Sequence, residues 1–371
     1  MRPAVLAKGR STPDYAGETR LCDTAGANKR RERMRSKLIT AGLMRAGLAA
    51  LGLIAATAAN SEPVKIRLSW IVPVGNWGSL LLEKKDLAKH LGQSYTLETT
   101  RFAGTPPMIT ALAAGELDVA NLTYSTVPIA IQNAGLDDLR VIADEFQDGN
   151  PGYYSNEFMV LADGPIKKVE DLKGKVVAVN AAGSAMDVAM RAMLRKHGLE
   201  DKRDYTIVEA PFPTMKAQLG EKKVDLIPAV IPFSLDPELR KVGRPLFTSA
   251  DAVGITEFSM FIARKPFIDK NRAALVDFME DTLRIVHWYL DPANHQAVME
   301  ICAKVTKQPA ERFGFVFTKQ DNYRDPNMVP DLVALQKNVN VMKDLGFVKA
   351  SVDVKTHSDL SLVQEAAKRL K

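Results

Sequence analysis

The sequence predicts an α/β protein with two lobes, and three observations carry that prediction. From Pro63 onward, strand-like segments alternate with helix-like segments, which is typical of parallel-type sheets flanked by helices. The alternation occurs in two blocks, followed by a mostly helical tail. Two strand-like segments, 157–162 and 257–263, both begin with Glu-Phe and contain Met. We interpret them as paired hinge strands that cross between the lobes.

The first block begins with a segment of period two, 64–70, which indicates a strand. Pro106 and Pro107 begin a predicted helix that ends at Gly115, the usual positions for proline and glycine around a helix. The predicted strands of this block are 64–70, 95–102, 117–122 and 139–143. The predicted helices are 79–91, 108–114 and one that ends at Gly135.

The second block repeats this style, and the tail changes to helices. Its predicted strands are 157–162, 175–180, 205–209 and 225–228, with a returning strand at 258–263. Its predicted helical segments are 169–172, 185–197 and 214–219, and those of the tail are 271–290, 292–305, 330–345 and 358–370. The predicted lobe 1 is therefore 63–157 plus 258–371, and lobe 2 is 158–257.

The N-terminal 59 residues differ in charge from the rest of the chain. They hold 11 Lys/Arg against 4 Asp/Glu, whereas residues 60–371 hold 39 against 40. The folded part therefore lacks the excess of basic residues that a nucleic-acid surface needs. A basic segment precedes 14 uncharged small or apolar residues, 46–59, which is too short to span a bilayer but fits a signal peptide. We predict a leader at 1–59, with the signal proper at about 34–59, and export to the periplasm; a buried core helix is the alternative.

The loops that follow the predicted strands are rich in hydroxyl, glycine and aromatic residues. Ligands of open α/β sheets bind beyond the carboxyl ends of the strands, where helix N-termini favour anions. Since Ser and Thr also cap helices routinely, the prediction depends on several such loops together. The predicted ligand-binding residues are Trp70, Asn76, Trp77, Gly104, Thr105, Thr123, Tyr124, Ser125, Gly183, Ser184, Phe212, Thr214 and Glu257. Glu257, like Asp144, Glu145 and Glu157, either faces a positive ligand group or is a solvated or hinge-pairing side chain.

Motifs for enzymatic chemistry are missing from the sequence. It contains no H-E-x-x-H, C-x-x-C, P-loop or G-x-S-x-G motif, and its five histidines do not pair at ligand spacing. Cys302 is the single cysteine beyond the leader, so an intrachain disulfide of the exported chain is excluded. We therefore predict no catalytic residue, no metal and no cofactor.

Two strings resemble periplasmic substrate-binding proteins of ABC importers. They are GPIKKVEDLKGKVVAVNAAGS at 164–184 and ALAAGELDVA at 111–120, and the nitrate-, taurine- and aliphatic-sulfonate-binding family is the most similar. The resemblance implies a type II periplasmic-binding-protein fold, a monomer whose two lobes close on one ligand, and delivery to an ABC permease. The turn 181–184 has no basic residue and several loops carry aromatics, which disfavours inorganic nitrate. The expected ligand is therefore a sulfonate-, taurine- or aromatic-acid-like organic anion.

Two other functions stay open from the sequence. A receptor of this type could serve another kind of transporter or a membrane sensor. Enzymes that synthesise the thiamin pyrimidine share a related fold and consume an internal histidine. No histidine of this sequence lies in a matching loop.

Overall fold

Residues 62–370 are described by the computed structural model, and they contain two mixed sheets with helices around them. The predicted leader lies outside the described residues. The strands are β1 (Val64–Trp70), β2 (Tyr95–Arg101), β3 (Val119–Thr123), β4 (Leu139–Asp148), β5 (Glu157–Leu161), β6 (Lys175–Val179), β7 (Tyr205–Glu209), β8 (Ile227–Ala229), β9 (Gly243–Thr248) and β10 (Thr256–Arg264).

The first sheet has the strand order β2-β1-β3-β10-β4. Strands β1, β2 and β3 run parallel, as predicted, but β10 runs antiparallel to both of its neighbours. In the second sheet, β5 lies between β8 and β9 and is antiparallel to both. The parallel pair β6-β7 joins this sheet through a bridge between Val177 and Leu226, beside β8.

The chain passes between the two sheets twice. It leaves the first sheet after β4, enters the second at β5, and returns from β9 to β10. Strand β5 pairs only with second-sheet strands and β10 only with first-sheet strands. The crossings themselves are therefore the short segments that precede these two strands.

Ten α-helices complete the described part of the chain. They are α1 (Pro106–Ala113), α2 (Thr126–Asn133), α3 (Ala185–Lys196), α4 (Phe212–Gly220), α5 (Pro237–Val242), α6 (Ser249–Val253), α7 (Lys265–Leu290), α8 (His295–Thr306), α9 (Leu332–Asp344) and α10 (Ser361–Arg369). Helix α7 bends at Asn271 and buries Leu275, Phe278, Met279 and Leu283. Between residues 62 and 370, no helix is both long and apolar enough to cross a membrane.

The helix predicted at 79–91 was wrong. The segment forms two short 3-10 helices, Trp77–Ser79 and Leu81–Leu87. The buried Asp281 carboxylate accepts the backbone N–H groups of Lys89 and His90, at 2.9 and 2.8 Å, so those groups need no helical partner. Strand β9 was missed because Pro245 interrupts its pattern; a proline is tolerated there because β9 is an edge strand.

Candidate functional site

A largely buried cavity lies where the two sheets face each other. Its walls come from both sheets, and the volume open to the centre of a water molecule is about 60 Å³. The polar side chains in its wall are uncharged. They are Asn76, Thr105, Asn121, Thr123, Asn156, Asn180, Ser184, Ser259 and Asn322. The apolar part of the wall consists of Ile71, Val72, Phe146, Ala185, Met186, Phe212, Val230, Ile231 and Phe258, with Gly75.

The first-sheet wall is fixed by a buried carboxyl group behind it. The side chain of Glu145 accepts hydrogen bonds from Asn76 Nδ2 at 2.8 Å, Trp77 N at 2.7 Å and Ser259 Oγ at 2.8 Å, and also from Asn121 Nδ2. Asn121 Nδ2 also donates to Ser259 Oγ. All of these side chains are nearly inaccessible to solvent. The orientations of the Asn76 and Asn121 side chains are therefore set by bonds within the protein.

Burial governs the protonation of Glu145. It raises the pKa of this carboxyl group to about 7, against the lowering effects of Arg324 and of the hydrogen bonds that the group accepts. The guanidinium of Arg324 donates to the main-chain oxygens of Glu145 and Gly75, at 3.0 and 2.8 Å, and packs over the rings of Trp77 and Phe146. Glu145 thus lacks a direct ion pair with Arg324.

A second carboxyl group lies behind the amides of Asn156 and Asn322. Asp148 Oδ1 accepts Asn156 N at 2.9 Å and Asn322 Nδ2 at 3.1 Å. Burial raises the pKa of Asp148 to about 6, opposed by hydrogen bonds from Asn156 and Ser155 among others. Two buried carboxyl groups therefore support the polar part of the wall.

Hydroxyl groups cluster where β3 meets α2. Thr123 Oγ1 lies 3.0 Å from Ser125 Oγ and 3.1 Å from Thr126 Oγ1, and Thr105 Oγ1 is 3.5 Å away. Thr105 and Thr123 line the cavity, whereas Ser125 is turned to the second sheet. The cluster provides adaptable donors and acceptors on one side of the cavity.

The second-sheet wall is mostly apolar. Met186, Phe212, Val230 and Ile231 form its surface, and the ring of Phe212 stacks on Phe233 with centroids 6.2 Å apart. Phe146 and Phe258, from β4 and β10, stack at 5.1 Å with 22° between their planes. The combination of flat rings and amides suits a small ligand with an apolar part.

The structure places five of the thirteen sequence-predicted residues in the cavity wall: Asn76, Thr105, Thr123, Ser184 and Phe212. Four others form contacts between the sheets beside the cavity. Tyr124 Oη donates to Ala185 O at 3.0 Å, and Ser125 Oγ donates to Gly183 O at 2.9 Å. At Gly104, an added Cβ would lie 3.0 Å from the Ala181 Cβ, so this glycine permits the close approach.

The remaining four predicted residues lie away from the cavity wall. Trp77 is buried in the core, stacked 5.1 Å from Phe317. Trp70 lines a wider outer groove, Thr214 donates its hydroxyl to Pro211 O on the surface, and Glu257 is buried beside Asp144. Glu257 Oε2 accepts Asp331 N at 2.7 Å, so this carboxyl group is bonded to the tail segment before α9.

Asp144 and Glu257 are two adjacent buried carboxyl groups. Burial raises the pKa of Asp144 to about 7, and burial together with the charge of Asp144 raises that of Glu257 well above its usual value. Two adjacent buried carboxylates would repel, so the pair is stable when it holds a proton.

Sequence reasoning missed Asn121, Asn156, Asn180, Asn322 and Ser259 as wall residues. Asn121 and Ser259 lie inside strands β3 and β10, whereas the residues predicted from the sequence came mainly from the loops after strands. The sequence contains one indication of both residues, because each is a polar residue flanked by apolar residues of its strand. Asn322 lies between the predicted tail helices 292–305 and 330–345, where no sequence pattern points to the cavity.

One side-chain cluster outside the cavity has the composition of a metal site. His90, Asp277 and Glu280 bring their ligand atoms within 4.8 Å of one another. Arg284 and Arg369 bind the same two acidic residues, with Nη–O distances of 2.5 Å to Glu280 and 2.8 Å to Asp277. These two guanidinium groups balance the carboxylates, so the cluster is explained as an ion-pair network.

Comparison with known proteins identifies the family of this chain. Residues 59–303 match the model of the NMT1-like family, and the chain belongs to that family. It is 28% identical over 233 residues to a putative aliphatic sulfonates-binding protein of Escherichia coli (strain K12), covering 61% of this chain and 68% of the relative.

Solved structures show that the fold is that of type II periplasmic binding proteins. The periplasmic aliphatic sulphonate binding protein of E. coli superposes with a TM-score of 0.62 at 20% identity, over 81% of this chain and 99% of its own. The periplasmic nitrate-binding protein of Synechocystis PCC 6803 gives 0.65 at 17%, over 84% and 90%. The fold also occurs in an enzyme, the desulfurization enzyme DSZB, with 0.59 at 13%, over 83% and 100%.

Proposed function

We propose that this protein is the exported receptor of an ABC importer, which traps a small organic molecule between two lobes and presents it to a permease. The lobes would be residues 63–157 plus 258–371 and residues 158–257. The observation that carries this proposal is the cavity between the two sheets, with walls from both. The family membership and the periplasmic relatives support it.

The contacts between the sheets suit a reversible closure. Beside the cavity they include two hydroxyl-to-carbonyl bonds, Tyr124–Ala185 and Ser125–Gly183, and the close approach at Gly104. Each such bond contributes only about 1 kcal/mol, because water replaces it when the lobes separate. A ligand that contacts both walls would therefore shift the equilibrium toward the closed form.

Export, a monomeric state and an ABC permease as the partner belong to the same proposal. The sulfonate relative favours the organic anion expected from the sequence, whereas the uncharged polar side chains of the cavity wall do not require a charged ligand. We further propose that the protein binds its ligand without transforming it. Among the described residues, no histidine or cysteine belongs to the cavity wall.

The experiment is a thermal-shift screen of residues 60–371, followed by small-angle scattering with each compound that stabilises the protein. A ligand at 100 times its dissociation constant adds about 2.7 kcal/mol by mass action. We expect stabilisation together with a smaller radius of gyration and unchanged ligand after prolonged incubation. Turnover of the compound would contradict the receptor function, and stabilisation without compaction would contradict closure.

A further inference from the structure

We propose that the cavity selects an uncharged organic ligand with a flat apolar part and a carbonyl-type acceptor, in preference to an organic anion. The inference rests on the proposed function, whose ligand class it specifies. It follows from the charges around the cavity, from the occupied helix N-termini, and from one buried amide group.

Positive charge is missing from the wall. Among the described residues that line the cavity, none is Lys, Arg or His. The nearby buried cation, Arg324, is not a wall residue: it donates to main-chain oxygens of Glu145 and Gly75 and is packed over aromatic rings. Its Nε has no hydrogen-bond partner, but it belongs to this packed layer behind the wall.

Two carboxyl groups are hydrogen-bonded to polar side chains of the wall from behind. Glu145 is one hydrogen bond behind Asn76, Asn121 and Ser259, and Asp148 is one hydrogen bond behind Asn322. In a site of low dielectric constant, an anion in front of these groups would be repelled whenever they are ionised. An uncharged ligand avoids that cost.

The helix N-termini next to the cavity offer few free donors to an anion. Helix α1 begins with Pro106 and Pro107, which lack N–H groups, and the N–H of Met108 is bonded to Thr105 O. At α3, the Asp187 carboxylate accepts Gly183 N at 2.8 Å, while Ser184 Oγ accepts Asp187 N at 3.3 Å. The protein's own groups therefore satisfy Met108 N at α1 and two of the donors at α3.

One buried donor of the wall is left without a partner. Asn156 is 1% exposed, and its Nδ2 has no hydrogen-bond partner in the described part of the chain. A buried unsatisfied amide costs free energy, which a ligand oxygen would recover. The stacked rings of Phe146 and Phe258 lie in the same wall and supply a surface for a flat group. A carbonyl attached to a ring matches both features.

The test compares probes of the same shape and different charge by calorimetry on residues 60–371. The uncharged probes are benzamide and nicotinamide, and the anionic probes are benzoate, nicotinate and benzenesulfonate. We expect each amide to bind at least tenfold more tightly than its carboxylate. Equal or tighter binding of the anions would overturn the ligand class and leave the receptor function standing. No binding by any of the five probes would overturn the ligand class; a ligand found by the broader screen would still preserve the receptor function.

Two variants separate a ligand role of Asn156 from a structural one. Asn156→Leu keeps the branched shape of the side chain, with a larger volume, and the backbone hydrogen bonds, but removes the unpartnered donor. We expect amide affinity to fall at least tenfold while the Tm of the ligand-free protein is unchanged or higher. The control is Asn340→Leu, at an exposed position of α9, which should leave affinity unchanged. Unchanged affinity of Asn156→Leu would overturn the assignment of this donor.

Discussion

The two walls of the cavity differ in what holds them in place. In the first-sheet wall, the amide of Asn76 and the hydroxyl of Ser259 are fixed by the buried carboxyl group of Glu145, whereas the second-sheet wall is mostly side-chain surface of Met186, Phe212, Val230 and Ile231. The first wall is therefore part of the folded core of its sheet and is organised without ligand. Under the proposed function, we expect the first sheet to recognise the ligand and the second sheet to enclose it.

The strongest test of this difference between the two walls is the substitution Glu145→Ala. The substitution leaves the donors of Asn76, Trp77, Asn121 and Ser259 buried without their acceptor. Each unsatisfied donor costs about 1–3 kcal/mol, although rearrangement recovers part of that. We expect a loss of roughly 3–5 kcal/mol in the free energy of unfolding, measured by urea denaturation.

The matched control on the opposite wall is Met186→Leu, a substitution of similar volume that should cost less than about 1.5 kcal/mol. Comparable losses from the two variants would show that the walls are equally structural. Such a result would remove the basis for assigning recognition to the first sheet.

The buried carboxyl groups also predict a pH dependence. Burial raises the pKa of Glu145 and Asp144 to about 7 and that of Asp148 to about 6, and the pKa of Glu257 is raised as well. The folded state therefore binds more protons than the unfolded state above about pH 4. This contribution to stability is fully present below the unfolded pKa, near 4, and is lost as pH rises through 6–7.

We therefore expect the free energy of unfolding to fall between about pH 5 and pH 8. Glu257→Gln tests the hinge-side pair, because glutamine retains an oxygen that can accept Asp331 N. The groups that face this pair are Asp325, Asp331 and Arg324, and they stay in place. The variant should show a shallower decline than the unmodified protein. An identical pH profile would show that the pair does not share a proton in the folded state.

The sequence predicted the fold better than the site, for physical reasons. Alternation of strands and helices is local, so the element order through β8 was largely correct, and the fold class is confirmed by the solved structures. Strand direction depends on nonlocal pairing, so the antiparallel β5 and β10 were not predicted. Asn322 reaches the cavity from a tail segment, which only the three-dimensional path brings there.

The loop prediction had a further weakness at two aromatic residues. Trp77 and Asn76 are neighbours in sequence, but only Asn76 lines the cavity, because a short 3-10 helix turns the indole into the core beside Phe317. Tyr124 follows Thr123 and is fully buried between the sheets. Adjacent residues point in different directions in such turns, and composition alone does not resolve which one faces a ligand.

Phe212→Leu tests the enclosing wall with a smaller expected effect. It keeps most of the apolar volume but removes the ring that stacks on Phe233. We expect the affinity for a stabilising ligand to fall by about threefold to tenfold, with a change of less than about 1.5 kcal/mol in unfolding free energy. Calorimetry and urea denaturation measure the two quantities. A large loss of stability with unchanged affinity would place Phe212 in the core of its sheet instead.

The smallest effect is expected for Tyr124→Phe, which removes a single hydrogen bond between the two sheets. The Tyr124 hydroxyl donates to Ala185 O at 3.0 Å in a region without solvent access. Because water satisfies both groups when the sheets separate, the loss should favour the open form by about 1 kcal/mol. Small-angle scattering of the ligand-free variant should show a larger mean radius of gyration, and ligand affinity should fall by about fivefold. The control is Ser361→Ala at an exposed position of α10, which also removes a single hydroxyl group. If scattering and affinity match those of the unmodified protein, this bond does not contribute to closure, and the remaining contacts at Ser125 and Gly104 would have to hold the sheets together.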